Sequence, residues 1–248
     1  MVDYGHFRFR KLTDILAYFI IIISYFCLKY LPMIVNVLDQ KKSILNKFIS
    51  EIRDAEIQKD SMRFRRNIER IGEIIAYEIS QTLDFQNKIV STPLGSKTVN
   101  IPKKDIVLCS ILRAGLPLHS GLLNYFDDAE NAFISAYRKH ITETEFEIKV
   151  EYFASPNLDG KTLILADPML ATGQSLATVF EGLKKHGTPK EIHLACVIGA
   201  KQGIEYIKNH FPPTTKLWIA TVDEHLNEKG YIVPGLGDAG DLSFGIKL

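Results

Sequence analysis

A continuous apolar run followed by helical periodicity marks the stretch from Lys161 to Gly187. Leu163 to Ala166 has no polar interruption, which is typical of a central parallel strand covered on both faces. The run ends at Asp167-Pro168, because proline has no N–H to donate to a sheet. Apolar residues then recur at the spacing of one helix face, at Leu176, Val179, Phe180 and Leu183. The pattern predicts a strand, a short loop and a helix that Gly187 ends.

Similar apolar runs predict more parallel strands, at Asp105 to Leu112, Asn131 to Tyr137, Glu191 to Gly199 and Thr215 to Val222. Helical periodicity predicts a helix of about twenty residues from Ser61. Shorter helices are predicted at Pro117 to Phe126 and Lys201 to Asn209. This alternation of strands and helices indicates an α/β fold, with a central parallel sheet flanked by helices.

Two stretches depart from this pattern. Ile141 to Phe153 alternates apolar and charged residues, as an antiparallel strand with two unlike faces does. We expect it to form an arm or hairpin that stands off the main sheet. Ser91 to Lys104 contains two prolines and a glycine and is predicted to be a loop or hairpin.

The C-terminal stretch from Gly230 to Gly245 contains five glycines. Pro234 to Asp241 is expected to lack regular structure, and glycine there permits positive φ and close approach of backbone to a flat ligand. Apolar residues at Ile232, Leu236 and Phe244 indicate that the stretch is packed rather than a loose tail.

The first 32 residues differ in composition from the rest. Ile15 to Leu28 carries no charge, but as a helix it would be about 21 Å long, against about 30 Å for a bilayer core. It is predicted to be a membrane anchor, an extra buried helix, or sequence upstream of a true start at Met33. We therefore separate an extension, residues 1–32, from a domain at residues 33–248, and expect a cytoplasmic protein, with membrane association through residues 15–28 as the alternative.

Bulk composition excludes some functions. Lys plus Arg (30) nearly equal Asp plus Glu (29), so no strong basic field favours nucleic acid. The three cysteines, Cys27, Cys109 and Cys196, are too far apart for zinc ligation and give no disulfide framework. Cys109 and Cys196 lie in apolar runs and are predicted to be buried and inert.

Candidate chemistry appears where predicted strands end. Ala171-Thr172-Gly173-Gln174-Ser175 lies between strand and helix, where loop N–H groups and the helix start can bind a phosphate. The alternative is an ordinary connection with a Thr or Ser cap. Arg113 follows another buried strand and could bind a ligand anion bidentately, or pair with a structural carboxylate.

Three motifs together resemble uracil phosphoribosyltransferases, of the type I phosphoribosyltransferase family. They are SILRAG (Ser110–Gly115), DPMLATGQS (Asp167–Ser175) and the long LNEKGYIVPGLGDAGDLSFG (Leu226–Gly245). The resemblance runs from about Met33 to the C terminus and implies that fold, with a protruding β arm and a C-terminal hood over the base. It also implies the reaction of uracil with phosphoribosyl diphosphate to give UMP and diphosphate.

The resemblance implies catalytic roles for Arg113, Asp167 and Asp238. It implies that phosphoribosyl diphosphate is bound by Arg113, Arg138, Asp167, Pro168, Met169, Leu170, Ala171, Thr172, Gly173, Gln174, Ser175 and Asp238. Uracil would be bound by Ile232, Gly237, Asp238 and Ala239, mainly through backbone groups. No nucleophilic Ser or Cys is expected. Gln174 departs from the family, because many relatives have glycine there.

The resemblance further implies Mg²⁺ held mainly by substrate oxygens, with no dedicated protein ligands. It implies a homo-oligomer, dimeric or higher, and leaves open whether a GTP-type effector acts. Two other functions compete with this one. They are a nucleotide-sensing regulator on the same fold, and a transferase for another base.

Overall fold

The structure, a computed structural model, describes residues 32–140 and 146–247. The side chains of residues 137–140 and 146–148 are outside this description. The predictions for the apolar segment at residues 15–28, and the alternatives for the N-terminal extension, also lie outside the described residues.

The strands, numbered in chain order, are β1 (Ile34–Val37), β2 (Phe85–Thr92), β3 (Gly95–Pro102), β4 (Ile106–Leu112), β5 (Glu130–His140), β6 (Phe146–Ala154), β7 (Thr162–Ala166), β8 (Met169–Leu170), β9 (Glu191–Ala200), β10 (Lys216–Asp223), β11 (His225–Leu226) and β12 (Ile232–Val233). The α-helices are α1 (Ile44–Arg53), α2 (Ser61–Ser80), α3 (Leu116–Leu123), α4 (Gln174–Leu183), α5 (Lys201–His210) and α6 (Ala239–Phe244). Short 3₁₀ turns occupy Leu38–Gln40, Ile57–Lys59 and Lys184–His186.

The described strands of the main sheet lie in the order β1-β10-β9-β7-β4-β5-β6, and β8 pairs with β9 beside this path. Neighbours from β1 to β5 run parallel, whereas β6 runs antiparallel to β5. A parallel sheet places the carboxyl ends of its strands at one edge. Arg113, Asp167 and Asp223, which end or follow β4, β7 and β10, therefore share that edge. The predicted α/β architecture is confirmed.

The core has two apolar clusters, one on each face of the sheet. Along β4, Leu108 belongs to one cluster, while Val107 and Cys109 belong to the other. Successive strand side chains point to opposite faces, so both faces of the sheet are covered. Cys109 and Cys196 are buried free thiols, as predicted, and burial raises the pKa of Cys109 to about 12.

The long helix α2 has the predicted extent and the predicted apolar face. Asp60 caps its start, where the side chain accepts hydrogen bonds from the N–H groups of Met62 and Arg63, each at 3.1 Å. Its stripe of isoleucines is buried against the sheet: Ile68, Ile71, Ile75 and Ile79. Among residues 32–140 and 146–247, no helix has the length and apolar character needed to cross a bilayer.

The predicted arm at Ile141 to Phe153 is confirmed for the described part. Strand β6 pairs with β5 along its length, but β5 pairs with β4 only as far as Ser135. The paired residues 136–140 and 146–150 therefore extend beyond the main sheet, and the side chains at 149–152 are exposed. The hairpin predicted at Ser91 to Lys104 is confirmed as β2 and β3, which form a separate two-stranded sheet starting at Phe85.

The expectation that Pro234 to Asp241 lacks regular structure was wrong at its end. Helix α6 begins at Ala239, because the Asp238 side chain accepts from the N–H of Asp241 and caps it. Ile232 and Leu236 are buried in the core, so the stretch is packed as predicted.

Candidate active site

Strand β7 delivers Asp167 to the carboxyl edge of the sheet. All of β7 is buried, and Asp167 continues its pairing by donating from its N–H to the carbonyl of Ala195 at 3.1 Å. The Asp167 carboxylate accepts from the N–H of Met169 at 3.2 Å. This bond turns the chain after the strand, and the carboxylate stays at the mouth of the following loop.

The residues between β7 and α4, numbered 167–175, are called here the strand–helix loop. Gly173 has φ of +80° and immediately precedes α4. Within the described chain, the N–H groups of Thr172, Gly173 and Ser175 have no hydrogen-bond acceptor. Free N–H groups beside the positive end of a helix form an anion site, which supports the prediction of a phosphate there.

The strand–helix loop is supported from beneath by buried backbone contacts. The carbonyl of Pro168 accepts from the N–H groups of Val197 and Ile198, at 3.1 and 2.9 Å. Leu170 is buried in the core. Gly203, in α5, lies so close that a Cβ there would be 2.3 Å from the carbonyl oxygen of Ala171.

The loop residues predicted to bind one ligand therefore differ in their surroundings. Pro168 and Leu170 anchor the loop in the core, and Leu170 also lines the depression beside it. A shallow depression is lined by Asp167, Met169, Leu170, Ala171, Thr172, Gly173, Ser175 and Leu176. Gln174 is outside that lining and starts α4, with its N–H donating to Thr172 Oγ1 at 3.4 Å.

Arg113 follows β4 and points to the C-terminal segment, defined as residues 226–247. Its Nη2 donates to Asp241 Oδ1 at 2.9 Å and to the carbonyl of Gly245 at 2.5 Å. Both bonds use Nη2, and in the described structure no acceptor is bonded to Nη1 or Nε. The peptide between Leu112 and Arg113 is cis. Nη2 is thus held by the C-terminal segment, and Nη1 and Nε remain as donors for a ligand.

Arg138 lies near the carboxyl end of β5, where its backbone pairs with Ile148 of β6. Strand β5 runs parallel to β4, so this position shares the edge of the sheet with Arg113. Its side chain is outside the described part of the structure, and its predicted role stays a prediction.

The C-terminal segment reaches the strand–helix loop through the residues predicted to bind uracil. Ile232 is buried and pairs with Leu226 in a short ladder. Gly237 follows with φ of +94°. The N–H of Ala239 donates to the sulfur of Met169 at 3.4 Å. This contact joins the two halves of the predicted site.

Asp238 is held ionised at the start of α6. Its Oδ1 accepts from the N–H of Asp241 at 3.0 Å, and its Oδ2 accepts from Lys247 Nζ at 3.2 Å. Burial opposes ionisation of this carboxyl. The N–H of Asp241 and the Lys247 ammonium outweigh that cost, so the pKa of Asp238 is lowered.

Sequence reasoning missed side chains that fix the C-terminal segment, among them Asp241, Arg53 and Asp223. Asp241 binds Arg113, and the second Gly-Asp of GDAGD could have drawn attention to it. Arg53, at the end of α1, and Asp223, at the end of β10, pair with each other and with the backbone of Gly235. Neither residue lies in a recognisable motif, so no local signal marked them.

The model of the uracil phosphoribosyltransferase family matches residues 39–246. The chain belongs to this family. A uracil phosphoribosyltransferase of Porphyromonas gingivalis is 52% identical over 211 residues, which cover 85% of this chain and 98% of that protein. One of Pyrococcus furiosus is 40% identical over 203 residues, covering 80% and 85%. A solved structure of an Aquifex aeolicus protein has a TM-score of 0.77 at 30% identity and covers 87% of this chain and all of that one.

Membership of the uracil phosphoribosyltransferase family raises the question of a metal ion. In residues 32–140 and 146–247, no three His, Cys, Asp or Glu side chains cluster in a way that could hold one. Asp167 places one carboxylate at the edge of the depression. A hard cation such as Mg²⁺ takes oxygen ligands and retains waters, so one carboxylate with substrate oxygens fits it.

Proposed function

We propose roles for these residues in the reaction of the family. The chain transfers the phosphoribosyl group of phosphoribosyl diphosphate to uracil, giving UMP and diphosphate. The observation that supports the placement of this reaction is the meeting of three distant segments. The strand–helix loop contacts the C-terminal segment through Met169 and Ala239, and Arg113 contacts it through Asp241.

The 5-phosphate of the donor is proposed to bind at the N–H groups of Thr172, Gly173 and Ser175. These groups are without acceptors in the described structure and stand at the start of α4, where the helix dipole favours an anion. Asp167 lies at the mouth of the same depression and is proposed to face the ribose hydroxyls. The Thr172 hydroxyl stabilises the loop by accepting from Gln174 N–H.

Arg113 is proposed to bind the diphosphate, with Arg138 beside it on the next strand. Asp241 and Gly245 already occupy Nη2 of Arg113, which leaves Nη1 and Nε to donate to the ligand. Nη1 and Nε lie on different edges of the guanidinium, so each would donate a separate hydrogen bond to a phosphate oxygen. Its charge would stabilise the negative charge that develops on the leaving diphosphate.

Uracil is proposed to bind the backbone of Ile232, Gly237 and Ala239. Met169 sulfur is a weak acceptor, and a uracil carbonyl oxygen would be a stronger one for the Ala239 N–H. Cytosine presents an amino donor where uracil presents a carbonyl acceptor. Cytosine would therefore leave buried polar groups unpaired, which costs binding free energy.

The transfer breaks the bond between ribose C1 and the diphosphate oxygen and forms a bond from C1 to uracil N1, which loses its proton. The sugar becomes cationic as the leaving group departs. The carboxylates of Asp167 and Asp238 are proposed to lie near that positive charge, while Arg113 stabilises the leaving group. Catalysis of this kind rests on positioning and electrostatics, so no covalent nucleophile is assigned.

Mg²⁺ is proposed as the cofactor. Bound to the diphosphate oxygens, it would neutralise part of their charge, and Asp167 is the protein carboxylate placed to contact it or its waters. Addition of a chelator is expected to abolish UMP formation, and excess Mg²⁺ is expected to restore it.

Self-association is also proposed. The β2–β3 hairpin exposes apolar side chains, among them Ile89 at 73% and Leu94 at 100%, which is the kind of surface that subunit contacts cover. Light scattering on the purified protein would give the assembly size.

A cytoplasmic location stays a prediction, and cell fractionation tests it.

One assay tests the proposed reaction against the two competing functions. The purified full chain is incubated with phosphoribosyl diphosphate, Mg²⁺ and labelled uracil, cytosine or hypoxanthine. UMP from uracil alone is the expected result. Product from another base would assign a different specificity. Nucleotide binding without any product would favour a regulator.

A further inference from the structure

A bidentate ion pair joins the end of α1 to the end of β10. Arg53 Nη1 lies 2.8 Å from Asp223 Oδ2, and Arg53 Nη2 lies 2.8 Å from Asp223 Oδ1. The side chains are only 22% and 9% exposed. Nη2 also donates to Thr221 Oγ1 at 3.2 Å. Parallel bonds of this kind fix both the distance and the plane of the two groups.

The same ion pair binds both polar backbone groups of Gly235. Asp223 Oδ2 accepts from the Gly235 N–H at 2.9 Å, and Arg53 Nη1 donates to the Gly235 carbonyl at 3.1 Å. Burial opposes ionisation of Asp223, yet the hydrogen bonds from Arg53 and Gly235 outweigh it and lower the pKa of Asp223. The carboxylate is therefore charged when it binds the turn.

Gly235 occupies a turn that only glycine fits. Its φ is +63°, and a Cβ there would be 2.2 Å from the carbonyl oxygen of Ile232. The turn lies between Ile232 and Gly237, which are two of the residues proposed to read uracil. The position of the turn therefore determines the positions of the backbone N–H and carbonyl groups of Ile232 and Gly237.

We infer that Arg53 and Asp223 are positioning residues for base binding, an inference that rests on the proposed function. They hold the Gly235 turn so that the backbone of Ile232, Gly237 and Ala239 presents its hydrogen-bonding groups to the base. Neither side chain belongs to the set proposed to touch substrate. Replacing a buried ion pair by apolar side chains is often neutral for stability, so orientation of a ligand-binding turn gives this pair a function that stability alone does not.

The other end of the same sheet supplies a matched control. Glu191 of β9 and Lys216 of β10 lie 2.6 Å apart, with side chains 23% and 22% exposed. This pair sits where β9 and β10 begin, whereas Asp223 sits where β10 ends. Loss of either pair removes a partly buried ion pair, but only Arg53 and Asp223 bind the turn.

The test compares the full-length wild type with Asp223→Asn, Arg53→Lys and the control Glu191→Gln. Each KM is measured with the other substrate saturating, and thermal unfolding checks that each variant is folded. For Asp223→Asn the KM for uracil is expected to rise about 20-fold, with the KM for phosphoribosyl diphosphate within about twofold. Arg53→Lys keeps the charge but loses the fork, so a rise of about fivefold is expected. Glu191→Gln is expected to leave both KM values unchanged.

The selectivity for uracil over cytosine, measured as a ratio of kcat/KM values, should fall most in Asp223→Asn and less in Arg53→Lys. It should be unchanged in Glu191→Gln. An unchanged KM for uracil in folded Asp223→Asn or Arg53→Lys would overturn the inference and leave the pair a stability element. Equal rises in both KM values, or a loss of kcat alone, would overturn it as well. If Asp223→Asn does not fold, Arg53→Lys decides. Absence of UMP from the wild type would instead refute the proposed function, and this inference with it.

Discussion

The strand–helix loop and the C-terminal segment reach the same edge of the sheet in different ways. The loop is made of consecutive residues and is anchored locally, by the carbonyl of Pro168 on β9 and by Leu170 in the core. The C-terminal segment has little regular structure. It is fixed by side chains of other elements, with Arg53 and Asp223 at Gly235 and Arg113 at Asp241.

This difference separates the two substrates. A site for a phosphate needs N–H groups and a helix start, which a short strand–loop–helix unit supplies by itself. A site that distinguishes one base from another needs backbone donors and acceptors held at fixed positions. The C-terminal segment obtains that rigidity from elements that precede it in the chain. Damage to one region should therefore affect one substrate more than the other.

Arg113→Ala should have the largest effect, because Arg113 lies between the two regions and is proposed to stabilise the leaving diphosphate. We expect kcat/KM to fall by about 100- to 1,000-fold, the range seen when one stabilising group is lost. The side chain is 38% exposed, so folding should be retained. Steady-state kinetics with a thermal melt checks this. Near-normal turnover would remove Arg113 from the site.

Gly203→Ala should damage the donor half selectively. The added Cβ would stand 2.3 Å from the carbonyl oxygen of Ala171, so the strand–helix loop must shift. A shift of about 1 Å in a binding group is costly, and we expect the KM for phosphoribosyl diphosphate to rise about 30-fold. The KM for uracil should change by no more than about twofold. A larger effect on uracil would show that the loop and the C-terminal segment do not act separately.

Asp241→Asn should have a smaller effect, spread over both halves. The amide still contacts Arg113 but loses the charge that orients its guanidinium, and we expect kcat/KM to fall about tenfold. Glu56→Gln, which removes the exposed pair with Lys59 at 2.7 Å, is the control and should leave kinetics unaltered. If the kcat/KM of Asp241→Asn equals that of the control variant, the charge of Asp241 is not needed to orient Arg113.

Glu191→Gln should alter stability without altering catalysis. The pKa of Glu191 is lowered from its ordinary 4.5 to about 2. The hydrogen bond with His193 lowers this pKa most, burial raises it, and the contact with Lys216 lowers it further. A carboxyl with a lowered pKa stabilises the fold above its ordinary pKa, and this contribution disappears as the pH falls through its folded value. Near pH 6 the variant should be less stable by about 1–2 kcal/mol, a difference that shrinks between pH 4.5 and 2. Urea unfolding across that range measures it, and a difference independent of pH would contradict the assignment.

The sequence predicted what is local and missed what is distant. Strand β7, its loop and α4 follow from consecutive residues, and Arg113 and Asp167 could be placed because parallel strands end at one edge. The pairing of Arg53 with Asp223 spans 170 residues, and that of Arg113 with Asp241 spans 128. The periodicity of apolar residues along the sequence does not indicate such long-range contacts.

One error in the fold has a related cause. Helix α6 was missed because a single capping carboxylate, Asp238, starts it in a glycine-rich stretch.

The central claim is that donor and acceptor sites are held independently. It is tested most directly by measuring both KM values for Gly203→Ala, Asp223→Asn and the double variant, each with the other substrate saturating. If the two sites are anchored independently, Gly203→Ala raises only the KM for phosphoribosyl diphosphate and Asp223→Asn raises only the KM for uracil. The double variant should show both rises, each equal to that of its single variant. Comparable rises in both KM values for either single variant would contradict the claim.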